Sequence, residues 1–164
     1  KLAGAVKPGF HPPVGGFVGM TRNNMKIEKR IRPIALLLAI KNNKILVITG
    51  YDYNKKENFY RLIGGGIEFG ETGAEALKRE VKEEIDAEIK NIKYLGLIEN
   101  IFDYEVKGRH ELALIYRADF KDKNIYKKEE IKILDSRYPQ KAHWLNKKEV
   151  LKNKLYPEEL KKMI

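Results

Sequence analysis

No cysteine occurs in the 164-residue chain, which excludes disulfides, thiolate nucleophiles and Cys-built zinc or iron–sulfur sites and suits a reducing, cytoplasmic setting. Histidine is nearly as scarce. Only His11, His110 and His143 are present, and no two stand at helical ligand spacing, so a bound metal would depend on carboxylates. The longest unbroken apolar run, Ile34 to Ile40, has seven residues against the roughly 20 that a membrane-spanning helix needs. No membrane partner is expected. With 43% hydrophobic and 34% charged residues, the chain has the composition of a folded domain and not of a disordered one.

Acidic residues are missing from the first 24 positions, which carry Pro12-Pro13 and Gly15-Gly16 and begin with Lys. That stretch is expected to be a disordered leader foreign to the natural protein, followed by one domain over residues 25–164. The formal charge is +10, and +7 remains without Lys1, Lys7 and Arg22. Such an excess favours anionic partners, nucleotides or RNA among them.

From Ile31 the chain alternates strand and helix signals without a linker or repeat, as one compact α/β domain would. Ile34 to Ile40 and Ile45 to Thr49 read as buried strands joined by the turn Lys41-Asn42-Asn43-Lys44. Phe59 to Ile63 reads as a short strand running into Gly64-Gly65-Gly66, where freedom of the backbone replaces side chains. Ala74, Leu77, Val81 and Ile85 recur at helical spacing after a polar entry at Glu71-Thr72. Strands are expected over Ile89 to Ile98, Ile101 to Val106 and His110 to Phe120, the last two forming a ribbon about Lys107-Gly108. Residues 121–138 read as a charged surface excursion, before a strand over Ala142 to Leu145 and short helices starting near Asn146 and Pro157.

Chemistry concentrates in the helix. Glu80, Glu83 and Glu84 stand at i, i+3 and i+4, which places three carboxylates within an arc of roughly 100°, beside the apolar stripe. Like charges so placed repel, and Lys78 and Lys82 are at hand to form ion pairs with them. The glycine run just before the helix brings bare backbone carbonyls near the acidic face. Carboxylates with a carbonyl make an oxygen-only donor set, which Mg²⁺ or Mn²⁺ prefers.

The stretch Gly65, five residues, Glu71, seven residues, Arg79-Glu80-Val81-Lys82-Glu83-Glu84 resembles the Nudix box, G-x5-E-x7-R-E-U-x-E-E-x-G-U with U aliphatic. The departures are at the end of the pattern: Asp86 stands in place of its last glycine and Ala87 at its final aliphatic position. Asp tolerates the left-handed conformation better than most residues. The box covers 23 residues, and the flanking strands, the Trp144 segment and Tyr156-Pro157 extend the likeness loosely over residues 31–164.

This resemblance implies an α/β/α sandwich with a mixed sheet and hydrolysis of a nucleoside diphosphate linked to another moiety, by attack of water at phosphorus. It implies that Glu80, Glu83 and Glu84, with the carbonyl of Gly64, hold Mg²⁺ or Mn²⁺. Glu71 would orient the cluster, Arg79 would pair with an acidic neighbour, and Glu80 leads as general base. Glu111 is the candidate for a further glutamate from outside the box. Tyr60, Phe102 and Tyr104 are candidates for stacking on a base, as are Tyr51, Tyr53 and Phe59.

No proline lies between Ala87 and Pro139, and the S-Q-P-W-P-F-P signature of NADH-type relatives is missing, whereas Tyr104 stands where dinucleoside-polyphosphate relatives tend to place a tyrosine. A nucleoside triphosphate or dinucleoside polyphosphate is therefore the expected substrate, with RNA 5′ ends as an alternative. A domain that binds a nucleotide without hydrolysing it is a further alternative. Family members often form homodimers.

Overall fold

The computed structural model describes residues 30–104, 107–136 and 139–164. Two mixed β-sheets carry the fold. Strands β1 (Ile31–Leu37), β5 (Ile63–Gly66), β6 (Ile89–Tyr104) and β7 (Lys107–Phe120) form the first, in the order β5-β1-β7-β6. The second contains β3 (Lys44–Asp52), β4 (Glu57–Arg61), β8 (Glu130–Ile133), β9 (Gln140–Asn146) and β10 (Leu155–Tyr156) in the order β10-β4-β3-β9-β8, with the short β2 (Ile40–Lys41) on β3. Pairing is parallel between β1 and β7 and between β10 and β4, and antiparallel elsewhere.

Alternation along the strands divides the apolar residues between two cores. Ala35, Leu37, Leu46, Ile48 and Tyr116 face helix α1 (Gly73–Ile85) and bury its stripe of Ala76, Leu77, Val81 and Ile85. Ile34, Leu36, Ile45, Val47, Ala113 and Ile115 pack on the other side with Val150 of α2 (Lys147–Lys152) and Leu160 of the 3-10 segment Glu158–Met163. This is the expected α/β sandwich.

Helix α1 begins at a capping box, in which Thr72 accepts from the Glu75 amide and the Glu75 carboxylate accepts from that of Thr72. It ends at Asp86, which takes the left-handed conformation (φ 50°, ψ 42°) where the box has glycine, while Lys82 donates to its carboxylate at 2.5 Å. The main chain of Glu84 is also tied, its carbonyl accepting from Leu134 at 2.7 Å.

Four local expectations change. The strand expected over Ile34 to Ile40 ends at Leu37, so β1 and β3 lie in different sheets and only Ile40–Lys41 forms the hairpin with β3. The strand expected over Phe59 to Ile63 breaks at Leu62, with β4 in one sheet and β5 in the other. Residues 89–104 form one strand, because both halves pair with β7 and the irregularity is taken up by register shifts near Asn91 and Gly96, both at positive φ. The charged stretch after Phe120 holds the 3-10 segment Lys123–Lys127 and strand β8, whose Ile125, Ile131 and Ile133 are buried in the α1-side core. Three apolar residues sufficed, since Trp144 Nε1 donates to the Ile125 carbonyl and β9 pairs with β8.

Candidate active site

The acidic face of α1 packs on the glycine run of β5. Glu84, buried to 6% exposure, accepts a hydrogen bond from the Gly64 amide at 2.9 Å and lies 3.8 Å from Arg61. Burial nevertheless outweighs both partners and raises its carboxyl above the ordinary range. Glu80 lies against Gly65, where a Cβ would fall 2.5 Å from its Oε2. A side chain at 65 would occupy the place of this carboxylate.

Arg79 bridges the remaining carboxylates. Its guanidinium donates to Glu71 at 2.6 and 3.3 Å, to Glu80 at 2.9 Å, to Glu83 at 3.1 Å and to the Gly66 carbonyl at 2.8 Å. Hydrogen bonding to Glu71 raises the guanidinium above its usual value and holds the Glu71 carboxyl below its own. Part of the repulsion is relieved by Arg79 and Arg61, and Lys82 turns to Asp86. Glu71 acts on the cluster through Arg79, which it grips with both oxygens.

Among the described residues no three acidic or histidine side chains already converge as a metal site. The donor set nonetheless suits a hard divalent cation: Glu80, Glu83 and Glu84 offer only oxygens, and the bare Gly65 leaves room for Glu80 beside the β5 backbone.

A cavity of about 600 Å³ opens next to this cluster, with Gly64 and Gly65 in its wall. Arg32, Arg61 and Glu111 line it, as do Phe59, Phe102 and Tyr156. The register β1-β7-β6 sets Arg32 beside Glu111 and Glu111 beside Asn100. Arg32 and Glu111 are 3.7 Å apart, and burial raises the Glu111 carboxyl. Arg61 also donates to Gln140 at 3.2 Å.

The structure thus brings Gly64, Glu111 and Phe102 to the cavity, with Tyr51, Tyr53 and Phe59. Tyr60 is not among its walls; strand alternation sends it against the α2-side core instead, while Phe59 and Arg61 reach the cavity. The Tyr104 side chain lies outside the described residues. Arg32, Arg61, Asn100 and Gln140 carried no local signal in the sequence, because each comes from a different strand.

A NUDIX-domain model matches residues 30–164. The chain belongs to the NUDIX family. Among curated relatives, it is 36% identical over 96 residues to the NAD-capped RNA hydrolase NudC of Vibrio parahaemolyticus, covering 53% of this chain and 36% of that one. It is 30% identical over 74 residues to NudC of Pseudomonas syringae pv. tomato, covering 45% and 26%. The matched region therefore spans about a quarter to a third of these relatives. Among solved structures, the E. coli ORF135 protein aligns with a TM-score of 0.57 at 21% identity over 80% of this chain and 84% of that one. The MutT NUDIX hydrolase of Burkholderia pseudomallei aligns at 0.56 and 19%, over 76% and 86%. These likenesses support the fold. No helix among the described residues is long and apolar enough to cross a membrane.

Proposed function

We propose that the chain is a divalent-metal-dependent pyrophosphohydrolase acting on a nucleoside diphosphate linked to another moiety, with a nucleoside triphosphate or dinucleoside polyphosphate as substrate. The observation that carries this reading is adjacency: the carboxylates of α1 pack on Gly64 and Gly65, and these glycines wall a cavity that two arginines and five aromatic residues also line. In this reading Glu80, Glu83 and Glu84, with the Gly64 carbonyl, hold Mg²⁺ or Mn²⁺. A cation bound there neutralises phosphate oxygens and makes water more acidic.

The chain's own groups do the rest. Arg32 and Arg61 engage phosphate oxygens, as guanidinium forks do well, and Phe59, Phe102 and Tyr156 take the base by stacking. Glu80 receives the proton of the attacking water. Glu71 holds Arg79 and so keeps Glu80 and Glu83 in register, and Glu111 adds a carboxyl group at the cavity wall.

The test is release of phosphate or pyrophosphate across a panel of nucleoside triphosphates, dinucleoside polyphosphates and ADP-ribose with Mg²⁺ or Mn²⁺. Turnover of a triphosphate or dinucleoside polyphosphate is expected. Inactivity on every member would favour a nucleotide-binding domain. RNA 5′ ends form the second reading, favoured by the +10 charge and by relatives named as NAD-capped RNA hydrolases, so triphosphorylated and capped RNA belong in the panel.

A further inference from the structure

Three polar or charged residues are buried among those described: Asp52, Glu84 and Asn100. Two have evident partners. Asp52 accepts from the amides of Asn54 and Lys55 at 2.9 and 3.0 Å, capping the turn that follows β3, and Glu84 accepts from Gly64. Asn100 differs. At 9% exposure it is nine-tenths buried, yet its carboxamide makes no hydrogen bond among the described residues. Nor is the amide sealed away, because among the described residues the one enclosed side-chain polar atom left without a partner is Glu57 Oε1. Asn100 is a wall residue of the cavity, and that is where its polar atoms remain open.

Its position follows from the strand. Ile98, Asn100 and Phe102 alternate onto one face of β6; Ile98 is buried in the α2-side core and Phe102 lines the cavity. Asn100 lies opposite Glu111 across the β6–β7 pair, and Phe102 lies near-parallel to Tyr156, their ring centroids 6.4 Å apart at 18°. Asn100 therefore neighbours a charged wall residue, Glu111, and an aromatic one two positions along its own strand, Phe102. An unpaired buried amide is disfavoured in a folded chain unless a ligand or water completes it.

We infer that Asn100 is a specificity-determining residue, whose carboxamide reads a donor–acceptor edge of the substrate base while the base lies among Phe59, Phe102 and Tyr156. A carboxamide presents one acceptor and two donors, so it matches a ring edge with a hydrogen-bond donor beside an acceptor. The inference rests on the pyrophosphohydrolase reading and extends it from the phosphates to the base.

Binding of the four nucleoside 5′-monophosphates and of base-free ribose 5-phosphate, measured by calorimetry with Mg²⁺ present, tests it in the wild type, Asn100→Leu and Asn100→Ser. The wild type is expected to prefer one base and to bind ribose 5-phosphate more weakly. Asn100→Leu, which keeps the bulk and removes an unpaired amide, should fold with an unchanged or higher Tm. It should weaken the preferred nucleotide about tenfold or more and leave ribose 5-phosphate within twofold. Asn100→Ser should show the same loss of preference. A preference that survives both substitutions would overturn the assignment, as would an equal loss for ribose 5-phosphate or a wild type indifferent to the base. If no nucleotide or ribose 5-phosphate bound to the wild type, the pyrophosphohydrolase reading would fall together with the inference.

Discussion

Replacing Gly65 by Ala perturbs a single carboxylate. The added Cβ would stand 2.5 Å from Glu80 Oε2, and contact between carbon and another heavy atom is comfortable at about 3.5 Å, so the carboxylate must retreat by roughly 1 Å. Gly65 is not at positive φ, so the backbone accepts alanine and the disturbance stays on the side chain. A retreat of that size breaks the 2.9 Å bond to Arg79 and misplaces the proposed base, for which a loss of about 100-fold in kcat is expected. The stability cost should be on the order of 1 kcal/mol, a Tm change of about 2–4 °C in a domain of this size.

The flanking glycines serve as controls. At Gly66 a Cβ would meet only the Arg32 side chain, at 3.7 Å, so Gly66→Ala should stay within a few-fold of wild type. At Gly64, φ is +129° and a Cβ would overlap the Ala35 carbonyl oxygen, so Gly64→Ala should fold poorly. Phosphate-release kinetics and thermal unfolding of the three variants decide the matter. A folded Gly65→Ala protein with wild-type kcat would refute the placement of Glu80 in the chemistry.

Glu84→Gln should lower kcat by two orders of magnitude or more in the same assay, because a proposed ligand loses its charge. Its effect on stability should be opposite in sign. Burial raises the Glu84 carboxyl in the folded state, so folding favours its protonated form, and the wild type loses stability as pH rises from the unfolded carboxyl value through the folded one. The metal-free variant should melt higher than wild type above that window and match it below, as thermal scans from pH 4 to 8 would reveal; equal melting at pH 8 would contradict the burial argument. Arg79→Ala leaves Glu71, Glu80 and Glu83 uncompensated; a loss of about 2 kcal/mol, between the values for surface and buried pairs, should appear in urea unfolding without metal. Glu111→Gln should reduce kcat at least tenfold with little change in Tm, and unchanged kinetics would make Glu111 a partner of Arg32 alone.

Features with local causes were legible in the sequence. The period of Leu77, Val81 and Ile85 located α1, the entry at Thr72 marked its start, and the spacing of Glu80, Glu83 and Glu84 put three carboxylates on one face. The strand carrying Tyr60 was expected as well, but not the parity that turns Phe59 and Arg61 to the cavity and Tyr60 away, because parity depends on pairing with β3. Strand β8 was hidden by lysines and glutamates around Ile131 and Ile133, two residues that gain their burial from the core beneath α1. The roles of Arg61 and Asn100 arise only when separate strands meet, and no spacing along the chain announces that.

The link from the Glu84 carbonyl to Leu134 has a mechanical meaning. Side chain and main chain of one residue grip opposite neighbours, β5 through Gly64 and the chain beyond β8 through Leu134, so this turn of the helix is riveted at two points, whereas the half-exposed Glu83 is held at its tip by the Arg79 side chain. Protons on the Leu134 and Gly64 amides should consequently exchange with deuterium only when larger parts of the domain open. The acidic cluster would then have one member anchored to backbone amides and one anchored only to another side chain, and in the proposed reading the second is the one able to follow cations of differing radius without repacking of the core.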